Sequence, residues 1–411
     1  MRGTAATPPG GNRWSKRVPA FGSYSRYMIG SHAWHIQIVL VMLVCIVLAV
    51  DISPWVGSVW AGAADKKVAG AIAAVLRFSA YRAFDIMAQV FPIACVLGML
   101  WAETVHSGSG QRLMIQITGR SHFRAATPLV LVALAATLIQ FALDNYVRPD
   151  AVIQLIGERL GSYRSYVDRV PPERAVWLSL GDDILQARIS KADPPTFEAL
   201  TYYRFAKDHV RDITVADAAR PTAKGNASFW TFLNGNIWHF DAGRGRSIDA
   251  LGTRYPGSPF EELQLELPID PLWLQYRGID PKYLPAKVLS RLAKSRGIPS
   301  DQPKYAAWLQ LRYAQAFIPG MLGLLVAAVF YLLQDRRPLL VAVLASLALG
   351  YMGFAVMRLM TVIAEHAVLP PAVVAWALPA LLAASSAVTF WRLARYDRAY
   401  PSGSSIAGEA A

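Results

Sequence analysis

Six apolar runs, each about as long as a bilayer core is thick, constrain this chain more than any other feature. A helix rises about 1.5 Å per residue, so about 20 apolar residues cross the hydrocarbon. The runs fall at residues 33–52, around "IQIVLVMLVCIVLAV", at 84–103, "FDIMAQVFPIACVLGMLWAE", and at 126–146, "ATPLVLVALAATLIQFALDNY". After a polar region at 147–305 come 309–333, "LQLRYAQAFIPGMLGLLVAAVFYLL", then 339–363, "LLVAVLASLALGYMGFAVMRLMTVI", and 372–391, "AVVAWALPALLAASSAVTFW". The 411 residues are 54% hydrophobic, with mean hydropathy +0.30. That balance suits a membrane part joined to a polar part.

The net charge is +13 and gathers beside the apolar runs, which points to basic flanks of a membrane protein and not to nucleic acid. With the N-terminus in the cytoplasm, the inner segments hold 13 Lys and Arg and the two short outer loops hold 4. The positive-inside rule then puts both termini inside and 147–305 outside. The first 32 residues have no early apolar core and read as a tail, not a cleavable signal. Cys45 and Cys95 lie in apolar runs, so the polar region has no disulfide framework or cysteine metal site. Phosphate-loop, dinucleotide and nucleophile-elbow motifs are absent. Asp182 and Asp183 are neighbours on a predicted strand and face opposite sides, a poor acid–base pair, and Glu261 and Glu262 fail likewise.

The polar region predicts an all-β domain. "AVWLSLGDDILQARISKA", "SFWTFLNGNIWHFDAG" and "ELQLELPI" are β-branched and aromatic with partial alternation, parted by Gly, Asn, Asp and Pro. A basic helical segment, "IDPKYLPAKVLSRLAKSRGIPSDQPKYAAWL", leads back to the membrane. Between the second and third runs, "HSGSGQRLMIQITGRSHFRAATP" predicts a short helix at about 109–124. Arg112, Gln116, Arg120 and Arg124 recur every four residues on one face, while Leu113, Met114 and Ile117 form another. Such a helix either docks in a partner's groove or lies on anionic lipid. Ionisable groups in or beside the runs are costly and worth naming: Asp51, Arg82, Asp85, Arg312 and Arg358. Arg358 either snorkels, pairs with a carboxylate such as Asp51, or meets a ligand.

Three spans, an outer β domain and three more spans resemble the lipopolysaccharide-export permeases of the LptF/LptG (YjgP/YjgQ) type. "SYSRYMIG" resembles the start of the family's first helix, "FPIACVLGMLWA" its second helix and "QRLMIQITGRSHFR" its cytoplasmic segment. "NYVRP", "LQLRYAQAFIPGMLGLLVA" and "VLPPAVVAWALPALL" resemble later landmarks in the same order. The resemblance implies a membrane α-helical fold, six transmembrane helices in a 3+3 arrangement, with an inserted periplasmic jellyroll-like β domain. It implies tails at 1–32 and 396–411, spans at 33–146 and 306–395, and the periplasmic part at 147–305. The chain would be the noncatalytic permease of a bacterial inner-membrane ABC-type extractor. Its partners would be a paralogous permease, an ABC ATPase dimer carrying ATP and Mg, periplasmic jellyroll bridge proteins and lipopolysaccharide. This chain itself would bind no cofactor and no metal.

On the same resemblance, Gln111, Arg112, Leu113, Met114, Gln116, Ile117 and Arg120 couple to the ATPase. The family commonly has Glu near the start of this segment and often Arg in its middle, where this chain has Gln111 and Gln116. Family cations near the outer end of the first helix meet lipid phosphates, and "VLAVDISPW" offers none. Lys66, Lys67, Arg82 and Arg358 are the substitutes, with Asp51 beside them and Phe354 and Met357 in the apolar lining. The rival reading is a membrane-anchored scaffold or sensor whose β domain binds a partner, with no ATPase.

Overall fold

A computed structural model describes residues 22–63, 68–117, 122–163, 175–190, 194–206, 209–224, 227–240, 257–295, 302–334 and 336–399. The first half holds α1 (Ser23–Ile52), α2 (Val56–Gly62), α3 (Val68–Gly108), α4 (Gln111–Ile117), α5 (His122–Ala142) and α6 (Arg148–Gly157). A widened π turn, Leu143–Val147, joins α5 to α6 without a break. Pro149 explains it: in a regular helix its ring would press on the carbonyl four residues back, at Asn145, and the wider turn makes room. After the β region come α7 (Pro271–Tyr276), α8 (Ala286–Lys294), α9 (Gln302–Gln315), α10 (Ile318–Leu333), α11 (Leu339–Glu365) and α12 (Pro371–Ala399).

Five helical rods are long and apolar enough to cross a membrane: α1, α3, α5 with α6, α11 and α12. A sixth candidate is the pair α9 and α10, bent by 42° at a short break. Pro319 again supplies the reason, since its i−4 position is Gln315, the last residue of α9. This is a multi-pass membrane protein. α3 is about 60 Å long at 1.5 Å per residue and starts 16 residues before the predicted span. Its additional turns carry Ala71, Ala74 and Phe78, which pack with Val59, Val152, Leu155, Tyr163 and Tyr283 into a satellite core beyond the bundle.

α3 and α10 form the centre of the bundle. α1 and α5 pack on one part of this pair, α11 and α12 on another. Apolar side chains drive little association within lipid, so close backbone approach and van der Waals fit must do so. Two crossings depend on glycine for that reason. A Cβ on Gly98 would stand 2.5 Å from the Cα of Ile36 on α1. One on Gly320 would stand 2.1 Å from the Ala133 carbonyl oxygen on α5.

The described strands make one antiparallel sheet in simple meander order: β1 (Val176–Leu180), β2 (Asp183–Ser190), β3 (Thr196–Ala206), β4 (His209–Lys224), β5 (Ala227–His239) and β6 (Ser258–Glu266). The sheet is inserted between the two helical halves, as expected. A jellyroll would pass strands between two sheets, whereas each strand here pairs with its sequence neighbours. A crease crosses the meander. Ala199 and Asn234 both adopt positive φ, 45° and 48°, and the register places Asp217 between them. A register shift between Gln186 and Arg188 continues the line into β2.

The buried face changes parity at this crease. Phe197 and Leu200, and likewise Ala216 and Ala219, are buried three residues apart instead of two. The buried face shares one core with Leu267, Ile269, Trp273 and Leu274 and with Leu289 and Leu292 of α8. Trp230 donates from its indole to the Ile269 carbonyl at 3.1 Å, and Asp270 caps α7 through the Leu272 amide at 2.8 Å.

Replacing Gly98 by Val should push α1 off α3. Overpacking of this kind costs about 1–3 kcal/mol, so thermal unfolding of the detergent-purified chain should shift to lower temperature. An unchanged unfolding midpoint would show that the crossing tolerates a side chain.

Candidate functional site

Networks of buried charge close the bundle at its two ends. At the α4 end the centre is Glu103, fully buried near the end of α3. Its carboxylate receives Arg112 Nε at 3.0 Å, a second bond from the same guanidinium, and His32 Nε2 at 2.9 Å. Both His32 ring nitrogens face acceptors, because Nδ1 lies 2.7 Å from the Met28 carbonyl oxygen. Arg112 also donates to the Tyr24 hydroxyl at 3.0 Å and lies over the Tyr331 ring, 4.9 Å from its centre. Tyr24 donates in turn to the Ala125 carbonyl at 2.9 Å. One buried carboxylate thus ties α4 to α1, α3, α5 and α10.

Gln111 adds a second attachment, its side-chain oxygen accepting from Tyr27 at 3.2 Å and from His106 Nδ1 at 2.6 Å. With Gln111 and Arg112 turned in, α4 turns Met114 and Ile117 out, 69% and 71% exposed. A short helix cannot hold itself together in water. This one is fixed by its first two residues and offers apolar side chains beyond them.

At the opposite, sheet-side end the centre is Asp85 on α3, also fully buried. It accepts from Arg82 at 2.5 Å, Arg148 at 2.9 Å, Tyr163 at 2.9 Å and Gln89 at 3.0 Å. Arg82 also makes two parallel bonds to Asp51, the one acidic residue of α1, at 2.5 and 2.7 Å. Arg148 stands 3.7 Å from Asp144 and stacks over the Tyr283 ring at 5.1 Å. Arg312 donates to the Lys282 carbonyl at 2.9 Å. The cluster joins α1, α3, α6 and α9 to the segment leading out of the sheet. Outside the membrane, burial pushes the Tyr163 and Tyr283 phenols up, and the nearby Asp85 carboxylate acts in the same direction.

A comparison with known protein families decides what this bundle is. The family described as lipopolysaccharide export system permease LptF/LptG matches residues 26–392, nearly the full chain. The chain belongs to the LptF/LptG family. No curated protein matches it. LptF/LptG is a transport-permease family, not an enzyme family, so this chain has the role of a lipopolysaccharide-export permease.

Within this LptF/LptG chain the residues singled out from sequence separate into groups. Gln111 and Arg112 are anchors facing the bundle, and Arg112 is not part of an outward basic face. Met114 and Ile117 face out. Asp51 and Arg82 are paired with each other, so the alternative pair of Asp51 with Arg358 does not form. Arg358 is exposed on α11 and has no ion pair among the described residues. Phe354 and Met357 are partly buried against the core containing Val96, Leu322 and Leu325. Arg120, Lys66 and Lys67, with the side chains of Leu113 and Gln116, lie outside the described residues. Sequence reading missed His32, Glu103 and Arg148. The available signal was charge: Glu103 closes an apolar run nine residues before Arg112.

Removing one partner of a buried pair leaves an uncompensated charge and costs about 3–5 kcal/mol. Glu103→Ala should therefore lower the thermal unfolding midpoint strongly. Arg77→Ala removes an exposed pair with Glu158 at 3.5 Å and should cost under about 1 kcal/mol. Equal shifts in the two variants would contradict this account of the α4 end.

Proposed function

We propose that this chain is the permease subunit of an ABC-type machine that extracts lipopolysaccharide from a bacterial inner membrane. It works with a paralogous permease and with two copies of a separate ATPase that carries ATP and Mg. Both termini and α4 lie in the cytoplasm, and the sheet lies in the periplasm. The bent pair α9–α10 serves as the fourth of six spans. The creased sheet receives the lipid and passes it to the jellyrolls of a periplasmic bridge.

The arrangement of α4 carries this reading. A seven-residue helix is held by the buried Arg112–Glu103–His32 chain and presents Met114 and Ile117 outward. The anchors transmit and the apolar side chains dock. An apolar anchor in a groove is a usual way for a helix to engage a partner. Motion imposed on α4 reaches α1 and α3 through the ion pair, without a flexible link. ATP-driven closure of the ATPases then moves the spans and expels the lipid toward the sheet. Gln111 replaces the family's usual Glu, and its neutral amide suits the Tyr27 hydroxyl and the His106 ring.

The test is co-purification in mild detergent with the paralogue and the candidate ATPase. Met114→Asp with Ile117→Asp should abolish ATPase capture and leave pairing of the two permeases intact. If the unmodified chain pairs with the paralogue and captures no ATPase, the export reading fails and a membrane-anchored scaffold takes its place.

A further inference from the structure

An open groove lies between α8, α9 and the turn that joins α11 to α12. Ala293, Pro303, Ala306 and residues 367–371 line it, and every described lining residue is apolar. Its volume is about 490 Å³, within the range of about 300–1,000 Å³ that holds small ligands. α11 ends at Glu365 and α12 starts at Pro371, so the turn lies where two spans leave the hydrocarbon on the sheet side. Pro370 and Pro371 fix two φ angles there, and Ala367 adopts a φ of 52°. The turn holds Val368 and Leu369 outward, 69% and 52% exposed.

The same place carries positive charge. Lys287, Arg291 and Lys294 form one exposed face of α8, while Leu289 and Leu292 enter the sheet core. Arg291 stands 3.7 Å from Asp270. Lys294 follows Ala293 in the chain and Lys304 follows Pro303, and neither has an ion pair among the described residues. Glu365, the acid nearest the turn in sequence, accepts from the Trp308 indole at 2.9 Å. A lysine stem can lie along apolar surface with its ammonium group in the headgroup layer. A small soluble anion would gain nothing from the apolar lining, and a neutral lipid nothing from the lysines. An anionic phospholipid uses both. The groove also lies at a joint. α8 packs on α9, which packs on α11 and α12, and α8 is tied to the sheet through its two leucines.

We propose that the groove holds an acyl chain of a resident anionic phospholipid from the sheet-side leaflet, with its phosphate at Lys294 and Lys304. This lipid braces the foot of the sheet against the α11–α12 turn. The site needs only that the spans cross a bilayer and does not rest on the export reading. Its occupant is a fixed component of the protein and not its cargo.

The experiment is hydrogen exchange of the full chain in a polyoxyethylene detergent, with phosphatidylglycerol or phosphatidylcholine added. Phosphatidylglycerol should slow exchange at 286–294 and 366–369 by about tenfold and leave α4, at the other end, unchanged. Phosphatidylcholine should have little effect. Lys294→Gln with Lys304→Gln should raise the phosphatidylglycerol concentration needed by about tenfold or more, since each ammonium near an anionic surface contributes severalfold. Ala306→Trp fills the groove and should abolish the response, with the lipid-free unfolding midpoint unchanged. Should that variant fail to fold, the lysine variant, whose lining is untouched, decides alone. Native mass spectrometry counts the bound lipid, and lipid A at equal concentration should not displace it. Equal protection by the two phospholipids, or an unaltered response in the lysine variant, refutes the site. Displacement by lipid A refutes a resident occupant, because the groove then belongs to the route of the cargo. Failure of the export reading would show separately, as absence of ATPase capture.

Discussion

A carboxylate with no access to water governs the α4 end of this molecule. Ionised Glu103 inside a helical bundle is tolerable only if cationic and hydrogen-bonding partners surround it. Its partners come from two other helices: Arg112 from α4 and His32 from α1, with Tyr24, also on α1, holding Arg112 in turn. Satisfying one side chain therefore fixes the mutual positions of segments far apart in sequence. It also determines which way α4 faces, because a helix with Arg112 turned in must turn Met114 out. The outward apolar pair is a by-product of the inward charge.

Much of the helical part is legible in the sequence because lipid imposes a simple length rule. Five predicted apolar runs lie in rods long enough to span, and the sixth in the bent pair. The rule fails where helices outrun the bilayer. α3 and α5–α6 continue into a satellite core whose residues, such as Ala71 and Phe78, carry no pattern distinct from the spans. Periodicity also misassigned Arg112. Spacing by four placed it with Arg120 and Arg124, whereas a complementary charge nine residues away drew it inward. Spacing within a segment says which residues share a face, and long-range charge decides which face is buried.

The β region was legible in strand content and not in alternation. A strand buried on one face alternates with period two. The positive φ angles at Ala199 and Asn234 break that period, so Phe197 and Leu200 share the buried face. Neither residue is glycine; the Asn234-Gly235 pair is a local signal for the break on β5, and nothing local announces it at Ala199. Gly235 is needed for another reason as well: a Cβ there would stand 2.2 Å from the Val215 carbonyl oxygen. In the creased sheet Trp230 and Phe232 share one core with Leu289 and Leu292 of α8.

The meander order has a consequence for the birth of the molecule. Every strand pairs with the one just before it in the chain, and the first four ladders close over two to five residues, so they lose little chain entropy, while β5 and β6 are joined across 18. The helical bundle is the reverse: its centre joins α3 to α10, which lie on opposite sides of the whole inserted sheet. A chain made from its N-terminus can pair its six strands while α10 is still unmade. The long detour between the two halves of the bundle is then already a folded body, and the last helices return to α3 from a rigid point of departure.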